Sequence, residues 1–167
     1  MQPVDLIAHP EGGRFREVFR SAATVRGDGG RERAALTHIY FELAAGEVSR
    51  FHKVASDEVW NLYRGNGVTL YTWGGGDAAP DAHVLSATTD TFCHVVPAGV
   101  WQAAAPLDGT VLVGCSVGPG FDFADFELID PVSGPAQRLL AGAPALAPLV
   151  QTPRSVSHPD TRSHTDS

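Results

Sequence analysis

Glycine and proline recur at short intervals along this chain, and their spacing restricts the fold more than any other feature of the sequence. The 167 residues include Gly 18 and Pro 12, a content that suits a globular protein with many turns better than a helical bundle. Several segments between the turns are rich in β-branched and aromatic residues, as strands are. The pattern predicts one all-β domain, folded as an antiparallel barrel or sandwich.

The amino-terminal part of the chain shows the alternation of a strand most clearly. Residues Arg14–Arg20 alternate so that Phe15, Glu17 and Phe19 lie on one predicted face of an extended segment. The following segment, Ser21–Arg33, contains several charges and a run of glycines around Asp28. It is predicted to be an exposed loop.

The sharpest turn predicted from the sequence is Gly65-Asn66-Gly67. Asn-Gly supplies the positive φ angles that a tight hairpin requires. We therefore predict that Glu58–Arg64 and Val68–Trp73 pair as neighbouring strands. Further strands are predicted at Leu36–Leu43, His83–Ala87, Phe92–Val96, Val100–Ala104 and Thr110–Val117.

The carboxyl-terminal part of the chain departs from the strand pattern. Residues 1–135 are predicted to form the single barrel domain, and 136–151, rich in Ala, Leu and Pro, a short helical extension. Residues 152–167 are polar and are predicted to be a disordered tail. Before the extension, Phe121, Phe123 and Phe126 are predicted to close one mouth of the barrel or to lie in a subunit interface.

Charge and cysteine content narrow the class of partner. The net charge is −7, and the basic residues form no surface typical of nucleic-acid binding. No apolar run is long enough to cross a membrane, so we expect a cytoplasmic protein without nucleic-acid or membrane partners. Cys93 and Cys115 lack metal-ligand spacing and are predicted to be reduced core residues.

The segment from Gly46 to Gly65 resembles the first cupin motif. That motif has Gly, five residues, His-x-His, three or four residues, Glu, six residues and Gly, and here His52 and Glu58 stand at their places. Val54 occupies the position of the second His. The segment Pro97–Gln102 resembles the core of the second cupin motif, with Gln102 in place of its His.

A wider set of segments resembles the DUF985, or cupin-5, family of the cupin superfamily. The resemblance implies a double-stranded β-helix, that is, a jelly-roll cupin barrel, with a short carboxyl-terminal helical segment in this chain. It also implies a homodimer. The segments that carry it are His9–Gly13, the pairs Arg16-Glu17 and Arg20-Ser21, Ile39–Phe41, His52–Trp60, Pro97–Gln102 and Gly118–Glu127.

Under this resemblance, the catalytic candidates are His52, Glu58 and Gln102. The same three side chains could hold one weakly bound divalent metal ion, because imidazole, carboxylate and amide oxygen are metal donors. In the metal-free alternative, His52 transfers protons and Glu58 orients it. No organic cofactor is indicated.

The candidates for substrate binding are Trp60, Tyr40 and Glu11. Trp60 could stack on a planar or sugar ligand, and Tyr40 could donate a hydrogen bond. Glu11 could cap backbone amides or reach the rim of the pocket. The expected partner is a small polar molecule.

These residues predict an enzyme of isomerase, cyclase or lyase type that moves protons on a polar metabolite. Isomerisation, epimerisation, cyclisation and elimination remain open. Two alternatives stay beside it: a metal-dependent oxygenase, and a non-catalytic module that binds a sugar or a nucleotide. In a purely structural role, His52 and Glu58 would only satisfy each other and the nearby backbone.

Overall fold

The structure is a computed structural model that describes residues 5–27 and 29–151. Within them, the chain forms one α-helix, α1 (Gly134–Gly142), and thirteen strands. The strands are β1 (Ile7–Ala8), β2 (Arg14–Arg20), β3 (Thr24–Arg26), β4 (Glu32–Ala34), β5 (Thr37–Leu43), β6 (Ser49–Lys53), β7 (Asp57–Arg64), β8 (Val68–Trp73), β9 (Asp81–Leu85), β10 (Cys93–Val96), β11 (Trp101–Pro106), β12 (Val111–Gly118) and β13 (Glu127–Leu128).

The strands form two main sheets and one small hairpin. The six-stranded sheet has the order β1-β2-β5-β12-β7-β10, and the five-stranded sheet has the order β13-β6-β11-β8-β9. Strands β3 and β4 pair separately. The pairings are antiparallel, in agreement with the predicted all-β class.

The main core lies between the two sheets. Alternate residues of the strands point inward, as the period of two in a strand requires. Trp60 and Phe41 are its largest side chains and meet edge to face, with ring centroids 5.9 Å apart. The other buried members are Leu43, Val68, Leu70, Leu85, Val96, Ala104, Val111, Val113 and Cys115.

The carboxyl-terminal segment covers the outer face of the five-stranded sheet. Helix α1 begins after Ser133, whose hydroxyl accepts a hydrogen bond from the Ala136 amide, and a 3-10 helix follows at Pro144–Leu149. Leu139 and Leu149 pack with Phe51 and other outward-facing residues of this sheet. The predicted helical segment therefore exists, although α1 starts two residues before the predicted boundary at 136.

The division into 1–135 and 136–151 stays a prediction, and the predicted tail at 152–167 lies outside the described residues. Among the residues that are described, no helix is long and apolar enough to span a lipid bilayer.

The predicted hairpin around Asn66 is wrong. Strand β7 pairs with β12 and β10 in one sheet, whereas β8 pairs with β11 and β9 in the other. The turn therefore carries the chain from one sheet to the other. Of the Asn-Gly pair expected to have positive φ angles, Gly67 has one and Asn66 does not, whereas Gly65 also has one. Gly65 and Gly67 allow close backbone contacts with Thr110 and Leu85.

Strand β2 has the predicted bounds but not the predicted faces. A β-bulge at Val18 shifts the register between Glu17 and Phe19. As a result, Phe19 turns to the outer face, and Arg20 joins Phe15 and Glu17 on the inner face. A bulge inserts one unpaired residue, which reverses the alternation after it.

The predicted loop at Ser21–Arg33 also needs correction, because it contains β3 and the start of β4. Arg33 holds Asp125 in the segment after β12, through Nε and Nη2 at 2.7 and 2.9 Å from the two carboxylate oxygens. The hairpin is thereby tied to the segment that carries Phe121, Phe123 and Phe126.

Candidate functional site

A cavity of about 320 Å³ opens between the two sheets at one end of the sandwich. Its inner wall carries polar side chains, and its mouth is lined mainly by phenylalanines. The lining residues are His9, Glu11, Phe15, Glu17, Arg20, Thr37, Ile39, Phe41, His52, Val54, Glu58, Cys115, Val117, Phe121, Asp122, Phe123 and Phe126.

Glu11 reaches the cavity from the turn between β1 and β2. Gly12 follows it at φ 113°, and a Cβ at this glycine would overlap the carbonyl oxygen of Val48. The turn is fixed to β6 because the Arg50 amide donates to the Glu11 carbonyl at 2.8 Å. The close packing buries the Glu11 side chain, whose Oε1 accepts a hydrogen bond from Ser49 Oγ at 2.7 Å.

His52 projects inward from β6 and contacts Glu11. Its Nδ1 lies 2.8 Å from the Arg50 carbonyl oxygen, and its Nε2 lies 3.1 Å from Glu11 Oε2. Because a carbonyl can only accept, Nδ1 carries a proton and Nε2 faces the carboxyl group. Phe126 stacks on the imidazole with ring centroids 5.5 Å apart.

The contact between His52 Nε2 and Glu11 Oε2 requires a proton, because two lone pairs at 3.1 Å would repel each other without one. Burial raises the pKa of Glu11 and lowers the pKa of His52, because both charged forms lose water. Both shifts favour a protonated Glu11 that donates to a neutral imidazole. The pair therefore stores one transferable proton at the cavity wall.

Glu58 comes from β7, on the opposite sheet, and its carboxyl group is held by Gln102. The Gln102 amide nitrogen donates to Glu58 Oε2 at 2.6 Å, and the Trp60 indole donates to Gln102 Oε1 at 2.7 Å. Since an indole N–H can only donate, Trp60 fixes which end of the amide meets Glu58. Burial raises the pKa of Glu58, and hydrogen bonds from Gln102 and Cys115 partly oppose this rise.

The ligand set predicted for a metal ion does not fit this arrangement as it stands. A divalent ion would need the amide oxygen of Gln102, and that oxygen accepts the Trp60 indole N–H while the amide nitrogen faces Glu58. Among the described residues, no three His, Cys, Asp or Glu side chains are grouped to hold a metal ion. The weakly bound ion therefore stays a prediction from the sequence.

The structure brings together three of the six residues singled out from the sequence. Glu11, His52 and Glu58 line the cavity, and Gln102 lies directly behind Glu58. Of the two roles considered for Glu11, its carboxyl group takes the one at the pocket, since it contacts Ser49 and His52.

Trp60 and Tyr40 lie away from the cavity wall. Trp60 shares the inner face of β7 with Glu58 but packs two residues deeper, in the core between the sheets. Tyr40 points to the outer face of the six-stranded sheet, where its ring meets Tyr63 at 5.9 Å. Neither placement offers contact with a ligand in the cavity.

Sequence reasoning missed His9 and Cys115 as cavity residues. His9 accepts a hydrogen bond from the Glu11 amide at 3.3 Å and packs edge-on against Phe15. Its place in the His-Pro-Glu-Gly-Gly turn was the available signal. Cys115 is a buried free thiol, as predicted, and burial raises its pKa well above the usual value. The prediction of a core position is wrong for Cys93, whose free thiol lies on an exposed residue of β10.

The mouth of the cavity is formed by the segment after β12. Phe121, Phe123 and Phe126 contact one another edge to face, with centroids 4.9 to 6.2 Å apart. Beside them, Arg20 donates two hydrogen bonds to Glu17, at 2.9 and 2.8 Å. Of the two roles predicted for these phenylalanines, the structure shows the one at the mouth of the barrel.

Two sheets that enclose a cavity with His52 and Glu58 on its facing walls define a cupin-type barrel. The chain resembles a cupin 2 conserved barrel domain protein from Rhodopseudomonas palustris, with a TM-score of 0.55 and 14% sequence identity over 90% of this chain and 88% of that one. At this identity the likeness concerns the fold alone. It agrees with the predicted jelly roll.

Within that class, the chain belongs to the DUF985 family of the cupin superfamily, because the sequence model of that family matches residues 1–129. It is 32% identical to the uncharacterised protein YML079W of Saccharomyces cerevisiae over 147 residues, 74% of this chain and 70% of the yeast protein. It also resembles protein SO0799 from Shewanella oneidensis, with 32% identity and a TM-score of 0.70 over 89% of this chain and 92% of that one. The predicted family is confirmed.

Proposed function

We propose that this protein is an enzyme that moves a proton on a small polar metabolite bound in the barrel cavity. The observation that carries the proposal is the buried contact of His52 Nε2 with Glu11 Oε2, at 3.1 Å on the cavity wall. General acid-base catalysis needs a base that is neutral, and an acid that is protonated, near the working pH. Isomerisation, epimerisation, cyclisation and elimination all use such a pair.

The proposed proton transfer uses side chains from both walls of the cavity. His52, on the five-stranded sheet, is the base, because its lowered pKa leaves Nε2 unprotonated. Nε2 takes the proton from the substrate carbon once the Glu11 O–H, which keeps its own proton, turns away from the imidazole. Glu58, on the six-stranded sheet, is the acid that returns a proton from the facing side, because its raised pKa favours the protonated form. Gln102 is a positioning residue that holds Glu58 through the 2.6 Å hydrogen bond.

Deuterium incorporation tests the proposal before the natural substrate is known. The full chain is incubated in D₂O with hydroxyketones, amino ketones and aldoses, and solvent deuterium at carbon is followed by NMR. We expect the wild-type protein to exchange at least one compound class, and His52→Gln to slow this exchange by about 10²-fold or more, as loss of a general base does.

The matched control is Asp90→Asn, which lies in an exposed turn at φ 51°, a conformation that asparagine tolerates. This variant should exchange like the wild type. Equal exchange by His52→Gln and the wild type would reject the proposal, because the proton transfer would then arise elsewhere.

A binding module without catalysis is the second candidate, and one observation favours it. Every buried side-chain nitrogen and oxygen in the described part of the chain has a hydrogen-bond partner, so the cluster is already satisfied without a reaction. Mass spectrometry of a co-purifying molecule separates the two functions. A ligand recovered unchanged, with no deuterium at carbon after long incubation, supports the binding module.

Metal-dependent oxidation is the third prediction, and elemental analysis of the purified protein tests it. A stoichiometric metal that is lost in both His52→Ala and Glu58→Ala would support a metal centre. It would also require Gln102 to give up its hydrogen bond with Trp60, which a crystal structure of the loaded protein would show.

A further inference from the structure

The wall of the cavity has an aromatic outer part. Phe123 and Phe126 lie 5.9 and 5.7 Å from the His9 ring, and Phe15 meets the same ring at 4.7 Å. Together with Phe121 they form a nearly continuous apolar surface from the mouth to the imidazole of His52. Such a surface favours a ligand with an apolar body, because packing against the rings removes that body from water.

The charged groups of the same wall are mostly acidic. Four carboxyl groups line the cavity, those of Glu11, Glu17, Glu58 and Asp122, against one guanidinium, that of Arg20. The guanidinium is already paired, since its Nε and Nη2 donate to the two Glu17 oxygens and Nη2 also donates to the Phe121 carbonyl at 3.1 Å. A carboxylate or phosphate ligand would therefore have to compete with Glu17 for this side chain.

The inner end of the cavity favours hydrogen-bond donors. Glu11 and Glu58 are buried there, and a carboxyl oxygen can accept a hydrogen bond from a hydroxyl or an amine in either protonation state. An anion at this depth would lose its water without a cationic side chain to compensate its charge, and it would keep both carboxyl groups from ionising.

We propose that the cavity selects a compact molecule without negative charge, with an apolar body against the phenylalanines and a hydroxyl or amine donor directed at Glu11 and Glu58. The proposal rests on the proposed function and narrows its substrate class. It sets aside nucleotides and sugar acids as ligands of this site. It also distinguishes the two ends of the cavity, because the only guanidinium in the lining, that of Arg20, lies at the mouth and the buried carboxyl groups of Glu11 and Glu58 lie at the inner end.

Three probes of one shape test this selection. Benzyl alcohol, benzylamine and benzoate share a ring and differ in the charge of the polar end at neutral pH. Dissociation constants are measured with the full chain by ligand-observed NMR titration. We expect the alcohol and the amine to bind at least about tenfold more tightly than benzoate, and in the millimolar range that suits such small fragments.

Two isosteric variants, Glu58→Gln and Glu17→Gln, test which carboxyl groups make the cavity prefer the amine and the alcohol to benzoate. In Glu58→Gln, the amine should lose about fivefold or more in affinity while the alcohol stays within about twofold. Glu58 can release its proton to solvent and form an ion pair with a bound ammonium group, whereas the amide can only accept a hydrogen bond. In Glu17→Gln, Arg20 loses its bidentate partner, so the affinity for benzoate should rise. Asp90→Asn removes a carboxylate far from the cavity and should change none of the three constants.

Several results would overturn the proposal. Benzoate binding within about threefold of the alcohol would show that the acidic wall does not select against anions. Absence of binding by both the alcohol and the amine would show that the aromatic wall does not form a ligand site. Because these constants are measured without turnover, deuterium exchange can fail while the selection holds, and the reverse is equally observable.

Discussion

At the scale of residues, the burial of Glu58 determines its protonation state in the cavity. It has 6% of its surface exposed and faces His52 across the cavity, while Gln102 donates to its carboxyl group. Burial is the largest influence on its pKa and raises it. The folded protein therefore retains a proton on Glu58 at pH values where the unfolded chain has released it.

This retained proton predicts a pH dependence of stability. Above the unfolded pKa of 4.5, the folded state binds more protons at Glu58 than the unfolded chain does, so the contribution of Glu58 to stability falls as the pH rises. Glu58→Gln removes this titration. We expect the free energy of unfolding of the variant, relative to wild type, to increase between pH 5 and pH 7.5 in urea titrations.

A constant difference between Glu58→Gln and the wild type across that range would contradict the assignment, since it would mean that the pKa of Glu58 is the same in both states. Urea midpoints and m-values measured together show whether the unfolded state has changed instead.

The motif spacing singled out His52 and Glu58, and the structure places both on the cavity wall. Glu58 follows the alternation of β7, whereas β6 has a register shift between Ser49 and His52 that the sequence did not indicate. Glu11 and His9 lie far away in sequence, on a turn whose docking depends on a tertiary contact with β6. The two roles left open for Glu11 could be separated only by that contact. For Trp60, the alternation along the strand predicted the inner face correctly. It could not predict that the side chain lies in the core and not on the cavity wall.

At the scale of elements, the turn between β7 and β8 shows what its glycines do. A Cβ at Gly67 would overlap the Leu85 carbonyl oxygen, and φ there is 133°. We expect Gly67→Ala to destabilise the protein by about 2–4 kcal/mol, since it combines backbone strain with a contact that only backbone movement relieves. Thermal or urea unfolding measures this loss.

Gly74→Ala is the matched control for that substitution. Gly74 lies at the end of β8, where an added Cβ would meet no atom within 4 Å. The expected change is within about 0.5 kcal/mol. Similar losses in the two variants would mean that the turn does not depend on the close approach to Leu85.

The sequence predicted most strands but not how they pair. Asn-Gly predicts positive φ angles at Asn66 and Gly67, but Gly67 and Gly65 have them instead, and the turn crosses between the sheets. The bulge at Val18 was also beyond prediction, because Arg14–Arg20 alternates without interruption. It is the bulge that places Arg20 at the mouth of the cavity.

At the scale of the whole molecule, one cross-strand row on the outer face of the six-stranded sheet has exposed apolar side chains at both ends. The row runs through Phe19, His38, Ser116, Val59 and Val95, and Phe19 and Val95 are 50% and 51% exposed. The homodimer implied by family resemblance stays a prediction, and we expect this row to form its interface. Light scattering after size exclusion should give twice the chain mass for the wild type.

Phe19→Lys should shift this protein to the monomer mass, because a charge at the Phe19 end of the row would be buried in the interface without a partner. Val132→Lys, in a turn where the side chain is 78% exposed, should stay dimeric. A monomeric wild type, or a Phe19→Lys dimer of unchanged affinity, would contradict this interface.

The jelly roll and the family could be predicted from the sequence because spaced motifs in several segments agree with one another. The cavity could not, since its wall combines a turn, five strands and the segment after β12, and only their packing shows that acidic and aromatic groups surround His52. The proposed proton transfer depends above all on a neutral His52 imidazole that shares a proton with Glu11.

The protonation state of His52 tests that claim most directly. Long-range ¹H–¹⁵N NMR of protein labelled at histidine nitrogens distinguishes the two tautomers, and His52→Gln assigns the signal. At pH 7 we expect a neutral ring with the proton on Nδ1, donated to the Arg50 carbonyl, and an unprotonated Nε2 that faces Glu11. A proton on Nε2 at that pH, in either the neutral or the doubly protonated ring, would contradict the proton-sharing pair.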